Sequence, residues 1–237
     1  MLVAAALCPC PPLLVPEIAA GAAPELASAR AACAEAVDAL AASRPDRLVV
    51  VGPGRSGGLE TYPAGTRGSF RGFGVELEVR LGEGPEAGGG RTLPYGLAVG
   101  AWLLARVDRR ASPVEGVAVG QETPGARCRA AGRELRGSSD RVAMLVLGDG
   151  SACRTLKAPG YLDARAEPFD ADVARALAAA DTGALGALDE DLARTLRVSG
   201  RAPWQVLAGA AEGASLGGAL LYEGSPYGVG YMVASWS

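Results

Sequence analysis

The chain has no histidine in 237 residues. Every mechanism that needs an imidazole is therefore excluded, from a Ser-His-acid triad to a histidine metal ligand. It has one lysine, Lys157, and its remaining basic residues are scattered arginines. That pattern, with a net charge of -3, argues against a nucleic-acid partner. No apolar run is long enough to span a bilayer, which argues against a membrane partner. Met1 to Leu7 is too short for a signal-peptide core and has no basic leader. Five cysteines form an odd count without a regular framework, so reduced thiols are expected. These features describe a soluble cytoplasmic protein.

What is present is an apolar, glycine-rich chain, 49% hydrophobic and 21% charged, able to bury a sizeable core. Leu2–Leu7, Arg47–Val51, Val114–Val119 and Val142–Leu147 read as buried strands. Leu220–Tyr222 and Val229–Trp236 read as a closing pair of strands. Helical spacing runs through Leu26–Leu40, Leu97–Val107, Asp170–Ala180 and Trp204–Ala211, and Thr182 is placed to cap a helix reaching Arg197. Cys128–Asp140 is polar and gives no clear pattern. Phe73 to Leu81 alternates apolar with polar or glycine, the clearest period of two in the chain. That segment is expected to be a strand, and a sheet edge on which two copies could pair as a homo-oligomer. Strands alternating with helices predict one α/β domain over residues 1–237, a sandwich with a central mixed β-sheet flanked by helices.

Ligands of open α/β sheets bind beyond the carboxyl ends of the strands. Three loops leave apolar strands here: Cys8–Pro12, Gly52–Gly58 and Gly148–Lys157. If their strands are neighbours, the loops converge. The last carries Asp149, Ser151, Ala152, Cys153, Arg154 and Lys157. These side chains either line a cleft or stabilise a turn and meet solvent. Gly52, Gly54 and Gly57 match the dinucleotide-binding glycine pattern. No helix opens after them, however, and that site needs a helix N-terminus.

Cys8 and Cys10 fall on one face of an extended strand. With Cys153 they could form a three-thiolate zinc or copper site, or a redox pair with a partner. Cys8 also suits plain packing, Cys33 sits on a helical apolar stripe, and Cys10, beside two prolines, is expected to be exposed.

Several stretches together resemble the class III extradiol ring-cleaving dioxygenases of the LigB type and the related MEMO-like proteins. They are Cys10-Pro11-Pro12-Leu13-Leu14, Val49-Val50-Val51-Gly52-Pro53-Gly54, Gly148-Asp149-Gly150-Ser151-Ala152, Ala158-Pro159-Gly160-Tyr161-Leu162-Asp163, and Tyr222 through Tyr231. More narrowly, the chain resembles an actinobacterial branch of these proteins. The resemblance implies their fold, and in active members a 2-His-1-carboxylate Fe(II) site open to catechol and O2. The implied first histidine falls at Cys10, the second at Gly54 and an acid–base histidine at Ala152. The implied glutamate falls in Val198–Gly200, where no carboxylate stands. Fe(II) is therefore not expected, nor any other cofactor unless zinc or copper binds through the cysteines.

Three functions follow. One is a non-catalytic module that binds a small molecule or acts as a scaffold. Another is an enzyme with a repurposed cleft, using Cys10, Asp149 and Cys153 on an aromatic or anionic small molecule. The third is residual dioxygenase activity at a cysteine-rich metal. In each the cleft candidates are Pro11, Gly54, Ser151, Ala152, Arg154, Lys157 and Tyr227.

Overall fold

The computed structural model describes residues 1–55, 57–85, 91–106 and 112–237. In chain order the elements are β1 (Leu2–Cys8), α1 (Pro16–Ala19), α2 (Ala27–Ala42), β2 (Arg47–Gly54), β3 (Leu59–Pro63), β4 (Arg67–Ser69), β5 (Glu78–Arg80), α3 (Tyr95–Leu104), β6 (Val114–Gly120) and α4 (Gly125–Arg136). They continue with β7 (Val142–Leu147), α5 (Ala166–Ala178), α6 (Thr182–Gly186), α7 (Glu190–Thr195), α8 (Arg201–Ala211), β8 (Gly218–Gly224) and β9 (Tyr231–Trp236).

Seven strands form one mixed sheet in the order β3-β6-β2-β7-β1-β9-β8. The four central strands β6, β2, β7 and β1 are parallel, and the outer three are antiparallel to their neighbours. The central strands are buried on both faces, which is why they read as unbroken apolar runs. In β7, Val142, Met144 and Val146 face one core, while Ala143, Leu145 and Leu147 face the other. Helices α2 and α3 cover the second face. Helices α4, α5 and α8, with residues of α6 and α7, cover the first. The architecture is the mixed α/β sandwich that the alternating elements predict.

Four local expectations change. Phe73–Leu81 is not a seven-residue-plus strand of the main sheet. Arg71–Phe73 forms a 3-10 turn ended by Gly74 at φ 86, and only Glu78–Arg80 pairs, with β4, in a separate two-stranded sheet. The alternation is still physical: Val75, Leu77 and Val79 lean on the α2/α3 core while Glu76, Glu78 and Arg80 are exposed. What the sequence pattern cannot supply is a long partner for the ladder. The edges of the main sheet are β3 and β8.

The single helix capped at Thr182 is instead two short ones. Asp181 accepts a hydrogen bond from the Ala184 N–H and Asp189 one from the Leu192 N–H, giving α6 and α7 their own N-caps. Cys128–Asp140, without a clear pattern, is largely α4. The helix expected over Leu97–Val107 is α3, shifted toward Tyr95, and Val107 lies outside the described residues. Among the described residues no helix is long and apolar enough to cross a membrane.

Candidate functional site

The sheet order makes β2, β7 and β1 consecutive parallel neighbours, so the three loops singled out above leave the same edge side by side. The ends of β1 and β7 are laced together. The Gly148 N–H donates to the Cys8 carbonyl at 3.0 Å, and the Cys10 N–H donates to Asp149 Oδ1 at 2.8 Å.

A third segment reaches the same point from the start of α8. The Asp149 N–H donates to Ser199 Oγ at 2.8 Å, and the Gly200 N–H donates to the Asp149 carbonyl at 2.9 Å. This crossing needs glycine on both strands of chain. A Cβ on Gly148 would sit 2.3 Å from the Gly200 Cα, and one on Gly200 would sit 2.2 Å from the Trp204 ring. The tryptophan packs where a side chain would stand and presses the Ser199–Gly200 backbone onto the β7 end.

Around Asp149 lie Cys10, Ser199, Tyr95 and Tyr231. The Ser199 hydroxyl, which accepts from the Asp149 N–H, works against the upward shift of the Asp149 carboxyl, the Cys10 thiol and the Tyr95 phenol. Asp149 and Tyr95 are partly exposed; Cys10, Ser199 and Tyr231 are buried. Burial raises the Asp149 carboxyl to about 6, opposed by the Cys10 N–H and then by Ser199. Burial, followed by the negative charge of Asp149, pushes the Cys10 thiol well above its ordinary range. The phenols of Tyr95 and Tyr231 are also raised, first by burial and then by Cys10 and Asp149. No cation contributes to the shift of Asp149, and it has no ion-pair partner among the described residues.

The other candidates divide into those near this point and those turned away. Gly54, at the end of β2, is partly exposed, and Pro11 is buried beside Cys10. Cys10 itself is 0% exposed, a correction to the expectation from its prolines: the Cys10 N–H bond to Asp149 draws the residue inward. Cys8 and Cys10 do share a face, and Cys8 packs on Cys33 of α2. Cys153, however, belongs to the opposite core, with its thiol toward the Leu196 carbonyl at 3.5 Å. The sheet separates it from Cys8 and Cys10, so the three-thiolate arrangement is not assembled. Among the described residues no three His, Cys, Asp or Glu side chains come together as a metal site.

Ser151 and Arg154 also leave the cleft. Ser151 donates from its N–H and from its hydroxyl to the two oxygens of buried Asp170, at 2.8 and 2.7 Å. Arg154 Nη1 lies 3.2 Å from the same carboxylate, and its Nη2 reaches Glu167 at 3.6 Å. Ala152 is buried, Lys157 is exposed, and the Tyr227 hydroxyl neighbours Glu25.

Backbone bonds bind this loop to the β8–β9 turn, Gly150 to Gly230, Gly230 to Ser151 and Arg154 to Gly228, at 2.7, 2.8 and 3.0 Å. The residues that sequence reasoning missed are Ser199, Tyr95, Tyr231 and Asp170. Ser199 lay within the stretch marked for the missing glutamate and Tyr231 ended the last stretch of the resemblance, without a role for either; nothing local marked Tyr95 or Asp170.

The donors at the implied iron position do not fit Fe(II). They are an enclosed thiol held protonated at Cys10, no side chain at Gly54 and a hydroxyl at Ser199, with a methyl at Ala152 where the acid–base histidine is implied. An open Fe(II) site needs imidazole and carboxylate ligands.

No protein-family model matches the chain, and no curated protein matches it. Among solved structures it is similar to an uncharacterized protein, JW3007, from Escherichia coli K12, with a TM-score of 0.58 and 14% identity over 99% of each chain. At that identity the likeness is one of fold, extending end to end.

Proposed function

We propose that the chain is a LigB-like protein that has lost the iron ligands and keeps the strand-end cleft as a non-catalytic binding site for a small molecule. One observation carries this reading. Asp149, a partly exposed carboxylate at the junction of three converging segments, accepts from the Cys10 N–H, gives its own N–H to Ser199 Oγ, and has no counter-ion among the described residues. Maintaining a poorly solvated charge at a strand edge costs stability, and ligand sites of this sheet class lie at that edge.

The repurposed-enzyme reading has less support. A nucleophilic thiol needs access and a lowered pKa, whereas Cys10 is enclosed and raised. Cys153 lies across the sheet, and Arg154 is committed to Asp170, which also weakens the case for an anionic ligand.

The test uses untagged protein, so that no added histidine supplies a ligand. A thermal-shift screen of aromatic small molecules is expected to find stabilising compounds. The same protein with Fe(II), catechol and O2 is expected to give no ring-opened chromophore. Ring opening above the Fe(II)-only control would overturn the non-catalytic reading, and a screen without any stabilising compound would overturn the binding reading.

A further inference from the structure

We infer that the cleft selects small organic cations, an ammonium group on an aromatic body, with Asp149 as the counter-ion. The inference rests on the binding reading above and names the ligand class of that same site.

The argument is one of charge accounting around a single carboxylate. Asp149 accepts from the Cys10 N–H at 2.8 Å, which occupies Oδ1, while Ser199 Oγ serves the Asp149 N–H at 2.8 Å. Oδ2 has no donor with a charge. Three arginines of the surrounding loops are engaged elsewhere, Arg154 with Asp170 and Glu167, Arg165 with Asp163, and Arg197 with the Pro159 carbonyl, while Arg55 and Lys157 are exposed and make no ion pair with Asp149. Among the described residues none forms an ion pair with Asp149. A buried carboxylate normally finds a cationic partner or loses its charge. Here the residue is partly exposed, which leaves access for a partner from outside.

The walls suit the same class. Tyr95 from α3 is partly exposed near the carboxylate, with Tyr231 of β9 buried beside it, and an aromatic ring can attract a desolvated cation. A carboxylate or phosphate ligand would instead meet Asp149 with like charge, and no arginine among the described residues is paired with that carboxylate. A neutral phenol or alcohol could donate one hydrogen bond but would gain no ion pair.

The experiment compares three probes that share a phenyl ring and differ in the terminal group: 2-phenylethylamine, 2-phenylethanol and 3-phenylpropionate. Binding is followed by calorimetry near pH 8 on the untagged full chain. The amine is expected to bind at least about tenfold more tightly than the alcohol, a ratio of the size that one desolvated ion pair supplies. The propionate is expected not to bind. In Asp149→Asn the ratio of amine to alcohol affinity should fall to about one. The wild-type ranking alone decides the matter if that variant folds poorly.

Equal binding of alcohol and amine, or a preference for the propionate, would overturn the charge inference and leave the cleft reading standing. Failure of all three at millimolar concentration, together with an empty thermal-shift screen, would overturn the cleft reading itself.

Discussion

The loop that leaves β7 encloses two aspartates and treats them in opposite ways. Asp170 receives two donors from Ser151 and one from Arg154, on a carboxylate that is 2% exposed as a residue. Asp149 receives a backbone donor, and Ser199 opposes its upward shift, but it has no cation. Burial raises both carboxyls. Only Asp170 has an arginine to oppose the shift, and only Asp149 faces outward. The first ties the loop to α5 and is explained by stability. The second is a charge that stability alone does not explain, and that contrast makes Asp149 the functional candidate.

The comparison can be broken most sharply at Asp170. Asp170→Ala leaves Arg154 and the Ser151 hydroxyl without their buried acceptor, and is expected to destabilise by about 3–5 kcal/mol in urea unfolding. An effect below about 1 kcal/mol would end the structural reading of that carboxylate.

Asp149→Asn should act in the opposite direction. The folded-state value near 6 exceeds the ordinary 3.8, so the folded protein holds this proton more tightly than the unfolded chain does. The stability associated with the group is therefore complete below about pH 4 and lost as pH rises through 6. Asparagine does not titrate and keeps an acceptor for the Cys10 N–H. The variant should gain at most about 3 kcal/mol over wild type at pH 8. The gain should shrink to nothing near pH 4, read from paired melting curves. A loss at pH 8 would place Asp149 with Asp170 as a structural group.

Arg154→Met should cost about 2 kcal/mol, because it removes one charge-assisted bond and leaves Ser151 in place. The smallest effect belongs to Cys10. Its thiol should resist alkylation in the native protein on a timescale that labels all five cysteines in denaturant, scored by mass spectrometry of the peptides. Fast native labelling would restore it as a nucleophile.

Much of the fold was legible because parallel strands buried on both faces leave continuous apolar runs. β1, β2, β6 and β7 stand out for that reason, and loops leaving them had to share an edge once they proved to be neighbours. Periodicity failed where pairing decides the outcome. Val75, Leu77 and Val79 alternate correctly, yet β4 offers only three residues to pair with. Cys10 and Asp149 were found because they follow strand ends directly, where direction is still fixed. A few residues further on the backbone is irregular, so Ser151, Cys153 and Arg154 could not be assigned a facing from sequence, and each turns to the far side. Tyr95, Ser199 and Tyr231 come from three other elements, and only the folded chain brings them to Asp149.

The pairing of β1 with β9 sets a schedule for synthesis. Leu7 opposes Ala234 in that ladder, so β1 waits for the much later β9 before its flank is covered. Tyr231, which opens β9, and the β8–β9 turn that clasps Gly150 and Arg154 also arrive late. A nascent or truncated chain that stops before β9 can assemble the parallel centre but has no finished cleft. Such chains should depend on chaperones, because the bare flank of β1 is an open strand edge. Binding competence is thus acquired only once β9 has been made.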